Sequence, residues 1–336
     1  MQASRDSWID SRLRADGSVA DEIDVIDFGR FLNGSIKERG QIAQQIGAAS
    51  AEIGFFYIAN HGIPSTLIDR AFQEMQRFFA LPIDGKTQIH ITNSKNHRGY
   101  FEIGRENFDP AVYREGDYKE GFHIGRELSP SDPDFGLPLR GGNQWPKQLP
   151  GFRDVMVEYF DACMNLGLHL MRAMAVALSL PDTFFDAKFD KPLPTLRPLH
   201  YPPQSGKVDY SQVGCGEHTD FGCLTILAQD EVGGLQVQNR RGRWISAPMI
   251  ENTLLINIGD MLARWSNDRV VATPHRVINA SGADRYSLPF FVDPNFDADL
   301  SVLPTCVSEG NPARYRPTTA GQYFLDRIES TFSYKK

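Results

Sequence analysis

Hydrophobic positions along the chain follow a helical period in a few long segments and a strand period in many short ones. Apolar residues at helical spacing predict helices over residues 35–53, 64–81, 152–180 and 320–331. Alternating or continuous apolar runs predict strands over residues 23–28, 55–58, 224–227, 235–238, 244–245, 254–258, 277–278 and 287–292. Helices therefore dominate the first part of the chain, and short strands dominate the second.

The clustering of short strands after residue 196 predicts the fold class. Many short strands with Gly, Pro, Asn and Asp between them are typical of a sandwich or jelly-roll barrel. We predict a mainly β fold with flanking helices (α+β) and a double-stranded β-helix (jelly-roll) core. We find no internal repeat or interdomain linker, so residues 1–336 should form a single domain. Its parts are an N-terminal helical and strand part, a variable segment with a long support helix, the jelly-roll core and a C-terminal helix, over residues 1–100, 101–195, 196–305 and 306–336.

Composition narrows the class of partner. A formal charge of -7 disfavours nucleic-acid binding, which needs a basic surface, so a small molecule is the expected partner. There is no run of about eighteen apolar residues to cross a membrane. The N-terminus lacks an apolar signal core and the four cysteines show no paired spacing, so we expect a cytoplasmic protein with free thiols. The oligomeric state is left open.

Two histidines and an aspartate carry the main chemical signal. His218 and Asp220 are separated by one residue, so an extended backbone would place both side chains on one face. His275 lies far along the chain and would have to join them from another strand. Two imidazoles and one carboxylate suit iron(II) and leave three adjacent coordination positions open. This set predicts a mononuclear non-haem iron(II) site with catalytic function.

Other interpretations of these three residues stay open at this point. His218 could cap a turn, Asp220 could form an Asx-turn before Gly222, and His275 could be a core histidine. Two histidines and a carboxylate also form hydrolytic zinc sites.

A second pair of polar residues follows His275. Arg285 and Ser287 are two apart, so alternation on a strand would direct both to the same side. A guanidinium group matches a carboxylate with two parallel hydrogen bonds, and a hydroxyl can add a third. Alone, Arg285 would be read as a strand-surface arginine, but its position after His275 favours carboxylate binding.

These residues resemble the iron(II)- and 2-oxoglutarate-dependent oxygenases of the isopenicillin N synthase-like family. Further family-like stretches lie at residues 26–28, 54–63, 196–197 with 201–203, 233–237 and 257–260. Within the family, thymine 7-hydroxylase-type microbial members are similar at residues 216–220, 250–253 and 262–268. The likeness does not define the substrate, because Phe221 stands where a tyrosine is expected and residues 93–150 differ.

The resemblance implies a 2-oxoglutarate-dependent dioxygenase that hydroxylates, desaturates or cyclises a small molecule and releases succinate and CO2. Its cofactor would be Fe(II), with 2-oxoglutarate and O2 as co-substrates. Arg285, Ser287 and Tyr201 would bind 2-oxoglutarate, although Leu199 replaces an asparagine that the family often has there. His200 is expected to be a packed residue rather than a fourth ligand, and His61 a structural turn residue.

The substrate site is expected to draw on both halves of the chain. Residues 93–150 lack a clear period, and such a long segment is expected to line the substrate entrance. The aromatic residues of the last helix are expected to pack over the barrel mouth. Substrate-binding candidates are Arg197, Phe221, Phe291, Arg98 and Tyr100, with His97 as a further one.

Several functional alternatives follow from the same residues. A family member can activate dioxygen without 2-oxoglutarate or form ethylene from it. From other classes, a zinc hydrolase or a metal-binding jelly-roll sensor would carry a similar ligand set. Oxygen consumption and stoichiometric succinate release separate these alternatives from a 2-oxoglutarate-dependent dioxygenase.

Overall fold

The computed structural model describes residues 10–15, 23–107, 112–204, 208 and 211–331. The α-helices in these ranges are α1 (Gly29–Asn33), α2 (Ile36–Glu52), α3 (Ser65–Phe79), α4 (Ile83–Thr87), α5 (Phe152–Ala177), α6 (Asp260–Trp265) and α7 (Ala320–Thr331). The strands are β1 (Val25–Asp27), β2 (Phe55–Ala59), β3 (Gly99–Phe101), β4 (Glu120–Gly125), β5 (Thr195–Leu196), β6 (Leu199–Tyr201), β7 (Cys215–His218), β8 (Leu224–Gln229), β9 (Leu235–Gln238), β10 (Trp244–Ser246), β11 (Thr253–Ile258), β12 (His275–Val277) and β13 (Arg285–Val292).

The strands form a large sheet and a small sheet that face each other. The large sheet has the order β1-β2-β11-β8-β13-β5-β4-β3, with β6 paired to β13 and β4. The small sheet has the order β10-β9-β12-β7. One apolar cluster contains side chains of both sheets, namely Phe55, Tyr57, Leu255, Leu235, Val237, Ile245 and Val277. This arrangement confirms the predicted jelly-roll core with flanking helices.

Helices cover the outer face of the large sheet. The longest helix, α5, contacts α2, α3 and β13, and its buried stripe belongs to the largest apolar cluster. The start of α2 is set by a capping box in which Ser35 and Glu38 satisfy each other's backbone amides. Gly167 allows α5 to approach β13 closely, because a Cβ atom there would lie 2.7 Å from Val292 Cγ2. The helices therefore support the large sheet on the face opposite the small sheet.

We expect Gly167→Ala to lower the free energy of unfolding. Alanine favours a helix over glycine by about 1 kcal/mol, but the added methyl would overpack Val292, which typically destabilises by about 1–3 kcal/mol. Gly40→Ala in α2 is the matched control, since its Cβ would meet no atom within 4 Å. Gly40→Ala should therefore stabilise, and urea unfolding measures both variants. A similar gain in stability for the two alanines would contradict the close contact.

The structure confirms the predicted helices and strands to within a few residues at their ends, and adds α6 and several strands of two to six residues. The expectation of an irregular segment over residues 93–150 is partly wrong, because β3 and β4 lie there. Strand β4 lacks apolar alternation since Glu120 and His123 are buried in it. Glu120 is satisfied by Lys86 Nζ at 2.8 Å and Tyr100 Oη at 2.7 Å. No helix within the described ranges is both long enough and apolar enough to span a membrane.

Candidate metal and co-substrate site

The structure brings His218, Asp220 and His275 together between the two sheets. His218 ends β7, His275 begins β12, and the two are directly paired across this antiparallel ladder. Asp220 Oδ1 lies 3.8 Å from His218 Nε2 and 3.7 Å from His275 Nε2. The three ligand atoms all lie within 4.8 Å of one another. One ion could therefore contact all three residues.

Backbone carbonyls orient the two imidazoles. His218 Nδ1 donates to the Gly216 carbonyl at 2.8 Å, and His275 Nδ1 donates to the Thr273 carbonyl at 3.1 Å. A proton on Nδ1 leaves the lone pair of Nε2 directed at Asp220, which is the tautomer that binds a metal. Burial, reinforced by the neighbouring His275, lowers the pKa of His218 to about 3. His218 is thus neutral and available as a ligand at physiological pH.

The large sheet holds the carboxylate. Asp220 Oδ2 accepts hydrogen bonds from Thr225 Oγ1 at 2.5 Å and from Asn257 Nδ2 at 2.7 Å. Burial alone would raise the pKa of Asp220, but His275, His218 and these two hydrogen bonds hold it below its ordinary value. The group is therefore an anion whose Oδ1 remains directed at the imidazoles. Two imidazole nitrogens and one anionic oxygen fit a divalent iron ion.

Arg285 and Ser287 point to the same side of β13, and both are 1% exposed. Arg285 Nε donates to the Gly233 carbonyl at 2.6 Å, and Nη1 lies 3.4 Å from Ser287 Oγ. Its guanidinium carbon lies 4.7 Å from the centroid of the Tyr201 ring, on the paired strand β6. Among the described residues, no carboxylate forms an ion pair with Arg285. A buried cation without a counter-ion is costly, so this position suits an anionic ligand.

One cavity connects the two groups of residues. Alternate residues of β13 line it, and the intervening ones, such as Leu288 and Phe290, pack in the helix-covered core. The cavity is also lined by the substrate-binding candidates Arg98, Arg197, Phe221, Phe291 and His97. Phe324 and Ile328 of α7 also line it, which confirms that the last helix packs over the barrel mouth.

Arg197 lines the cavity but also has a partner within the protein. Its Nη2 donates to both carboxylate oxygens of Glu106, at 2.6 and 2.7 Å. Lys119 Nζ lies 3.1 Å from Glu106 and is also paired with Asp117. Burial raises the pKa of Glu106, but Arg197 and Lys119 outweigh it and hold that pKa well below its ordinary value. These four residues form a charge-balanced cluster in the cavity wall.

The structure corrects the expectation for Tyr100. Tyr100 lies outside the cavity lining, and its hydroxyl donates to Glu120 in a buried pair. The reason is alternation on β3: Phe101 faces the core between the sheets, whereas Tyr100 faces the core under the helices. Its neighbour Phe78 belongs to α3, at a ring distance of 6.2 Å.

His200 and His61 lie as expected from the sequence. His200 stacks on Tyr286, and its ring nitrogens lie 2.8 Å from Glu120 Oε1 and 2.7 Å from Asp284 Oδ1, so it is a packed residue. His61 Nδ1 accepts from the backbone amide of Ile63 at 3.2 Å in a turn.

Sequence reasoning missed several polar residues of the site. Thr225 and Asn257 position Asp220, and each was visible only as a polar residue within an apolar strand. His123 and Asp293 also line the cavity, and both are more than nine-tenths buried. Burial raises the pKa of Asp293 well above its ordinary value. No local motif marks these residues, because each stands as a single polar residue in its segment; Asn257, for example, lies 37 positions from Asp220.

Comparison with known proteins agrees with this geometry. Residues 23–148 match the family described as non-haem dioxygenase in morphine synthesis N-terminal, and residues 193–294 match the 2OG-Fe(II) oxygenase superfamily. A 2-oxoglutarate-Fe(II) type oxidoreductase of Emericella nidulans is 36% identical, over 93% of this chain and 92% of the relative. A homoarginine-6-hydroxylase of Glycine max is 35% identical, over 87% and 89% respectively.

A solved structure shares the whole architecture. Neurospora crassa thymine 7-hydroxylase in complex with α-ketoglutarate superposes with a TM-score of 0.84 at 35% identity, covering 93% of this chain and 98% of that one. The family matches and the identity over nearly the whole chain lead to one conclusion. This chain belongs to the 2OG-Fe(II) oxygenase superfamily and is a non-haem iron(II)- and 2-oxoglutarate-dependent dioxygenase.

Proposed function

We propose that the enzyme oxidises a small organic molecule with iron(II) bound by His218, Asp220 and His275. The observation that carries this proposal is a convergent His-Asp-His set that opens on the same cavity as the buried Arg285, which forms no ion pair among the described residues. The outcome of the reaction is a hydroxylated, desaturated or cyclised product, together with succinate and CO2.

The chain contributes binding and positioning rather than acid or base catalysis. Iron(II), when bound, supplies the activation of dioxygen that drives decarboxylation of 2-oxoglutarate and oxidation of a C–H bond. Arg285 pairs with the distal carboxylate of 2-oxoglutarate, and the Ser287 hydroxyl donates a further hydrogen bond to it. The Tyr201 ring stacks on the guanidinium and keeps its fork facing the cavity.

The shape of the cavity and the relatives support a small-molecule substrate. The cavity lies between the sheets, and Phe324 and Ile328 of α7 also line it, so its interior suits a small molecule. The Neurospora protein has been crystallised with thymine, and the Glycine max relative is named for homoarginine. Both ligands are small polar molecules, which is the class that we propose for this enzyme.

An anaerobic titration tests the proposal. Metal-free protein receives iron(II) and then 2-oxoglutarate, and the visible charge-transfer band of a chelated 2-oxo acid is followed. We expect stoichiometric iron binding and a saturable band. Iron binding without a band would point to an oxidase that does not use 2-oxoglutarate or to a binding protein. Failure to bind iron would overturn the assignment of the three ligands.

A second measurement separates turnover from binding. On admission of oxygen, a 2-oxoglutarate-dependent dioxygenase consumes oxygen and releases succinate in equal amounts. An ethylene-forming reaction would instead break 2-oxoglutarate down further, and a zinc hydrolase would consume no oxygen. Quantifying oxygen, succinate and ethylene in one sample distinguishes these outcomes.

A further inference from the structure

Arg98 is a second buried arginine in the cavity that lacks a carboxylate partner. It is 5% exposed, and its Nε atom has no hydrogen-bond partner. Its Nη2 atom donates to the Leu139 carbonyl at 3.0 Å. The Glu127 carboxylate is close enough to favour the charged form of Arg98 but forms no ion pair with it, and its Oε2 accepts hydrogen bonds from Asn143 and Trp145. Among the described residues, Arg98 therefore has no ion-pair partner.

The guanidinium of Arg98 lies directly on the backbone of β4. A Cβ atom at Gly125 would be 2.0 Å from the Arg98 guanidinium carbon, so only glycine permits this approach. The strand thus leaves a space that the cation fills, on the side of the sheet that lines the cavity. The absence of a side chain at Gly125 therefore determines where the positive charge of Arg98 lies.

The arginine and the lysine that line the cavity near Arg98 have carboxylate partners. Arg197 and Lys119 are balanced by Glu106 and Asp117. Burial, together with the nearby Arg197, lowers the pKa of His123 well below its ordinary value, so this imidazole is neutral. Within the described part of the chain, Arg98 is a cavity-lining cation to which no carboxylate is directly bound.

A row of paired residues across the large sheet links Arg98 to the metal ligands. Gly125 pairs with Thr195, Thr195 with Phe291, and Phe291 with Thr225. Thr225 donates to Asp220. Directly paired residues point to the same face, and three strand spacings amount to about 14 Å. A molecule lying along this row would pass over Phe291 with one end near Asp220 and the other near Arg98.

Arg98 is too far from Arg285 to share its ligand. Phe291 and Arg285 are six residues apart on β13, which corresponds to about 20 Å along the strand. The Arg98 guanidinium lies at Gly125, which is two strands away from Phe291 in the same row of paired residues. Along the strand direction it is therefore about as far from Arg285 as Phe291 is. The anion at Arg98 is therefore a different group from the carboxylate of 2-oxoglutarate that we assign to Arg285.

We propose that Arg98 binds a carboxylate group of the primary substrate, several bonds away from the carbon that is oxidised. This inference rests on the proposed function and names the substrate class: a small organic acid whose body lies over Phe291. The guanidinium of Arg98 would satisfy the carboxylate with charge-assisted hydrogen bonds. Its Nε atom is a buried donor that has no partner within the protein.

Matched pairs of acids and amides test this proposal. The iron(II)- and 2-oxoglutarate-loaded protein is titrated anaerobically with 4-phenylbutanoate, indole-3-butanoate and octanoate, and with the primary amide of each. Binding is read from the change that each probe causes in the charge-transfer band. We expect at least one carboxylate to bind about ten-fold or more tightly than its amide, because the amide lacks the charge. Equal binding of acid and amide, or no binding of any acid to a protein that shows the band, overturns the proposal.

Variants of Arg98 test whether this residue causes the preference for the carboxylate over its amide. Arg98→Gln should remove the preference for the acid while leaving the 2-oxoglutarate titration unchanged, and Arg98→Lys should retain part of it. Arg172→Gln is the charge-matched control, since Arg172 is on the outer side of α5 and paired with Asp186. A purely structural role for Arg98 would weaken acid and amide alike in both Arg98 variants. If the unmodified protein shows no charge-transfer band before any probe is added, that result counts against the proposed function instead.

Discussion

Asp220→Asn is expected to abolish succinate formation coupled to substrate oxidation, and to remove stoichiometric iron(II) binding. Asp220 supplies the anionic oxygen of the three ligands, and its Oδ1 lies within 4 Å of both imidazoles. Loss of a residue that only hydrogen-bonds to a metal ligand usually lowers metal affinity or activity by about 10–100-fold. Loss of a ligand itself should exceed this range. Iron content after gel filtration and succinate release measure the two effects.

Asparagine is preferable to alanine at this position. Alanine would leave the Thr225 hydroxyl and the Asn257 amide without their acceptor, and each buried unsatisfied group typically destabilises by about 1–3 kcal/mol. Asparagine keeps one oxygen and the size of the side chain, so loss of iron binding can be separated from unfolding. Asp154→Asn, an exposed change at the start of α5, is the control. Full iron content and turnover in Asp220→Asn would refute the ligand assignment.

The parts of the site that follow from local spacing were predictable. One intervening residue between His218 and Asp220, and one between Arg285 and Ser287, places each pair on one side of an extended backbone. The predicted strands near residues 277 and 287 located two of the elements that carry these side chains. What spacing alone leaves open is the pairing of His275 with His218, which depends on the order of strands in the small sheet.

The substrate end of the cavity could not be predicted because its contacts are nonlocal. Arg197 and Glu106 are separated by 91 positions in the chain, and the space for Arg98 depends on a glycine of another strand. Strand β4 also escaped prediction, since Glu120 and His123 are polar residues that tertiary partners make tolerable in the interior. Side chains alternate on β3, so Tyr100 and Phe101 lie on opposite faces of it. The sequence does not show which of the two faces the core between the sheets.

The same limit applies to the distribution of charge. A sequence shows that Arg98, Arg197 and Arg285 are cations, but not which of them already has a carboxylate. The fold pairs Arg197 with Glu106 and leaves the other two without an ion pair among the described residues. Those two line the same cavity as the predicted metal ligands, and the strand register places them far apart in it. This distribution of charge is the basis for assigning two different anions to the two ends.

Arg285→Gln is expected to raise the dissociation constant for 2-oxoglutarate by about 10–150-fold, since a hydrogen bond to a charged group contributes about 1.5–3 kcal/mol. Iron affinity should stay within about three-fold of wild type, because Arg285 makes no contact with the ligand residues among its hydrogen bonds. The readout is the 2-oxoglutarate titration of the charge-transfer band at saturating iron(II).

Arg285→Lys tests whether charge or geometry matters at this position. Lysine keeps the positive charge but has no planar fork, and it stacks less well on the Tyr201 ring, so we expect an intermediate dissociation constant. If charge alone set the affinity for 2-oxoglutarate, the lysine variant would match wild type. If Arg285 only held the strand in place through its hydrogen bond to Gly233, the glutamine and lysine variants would bind 2-oxoglutarate equally weakly. Iron binding would then weaken in both variants as well. An unchanged titration in both variants would transfer the role of 2-oxoglutarate anchor to another cation, and Arg98 at the far end of the cavity would then be the first residue to reassign.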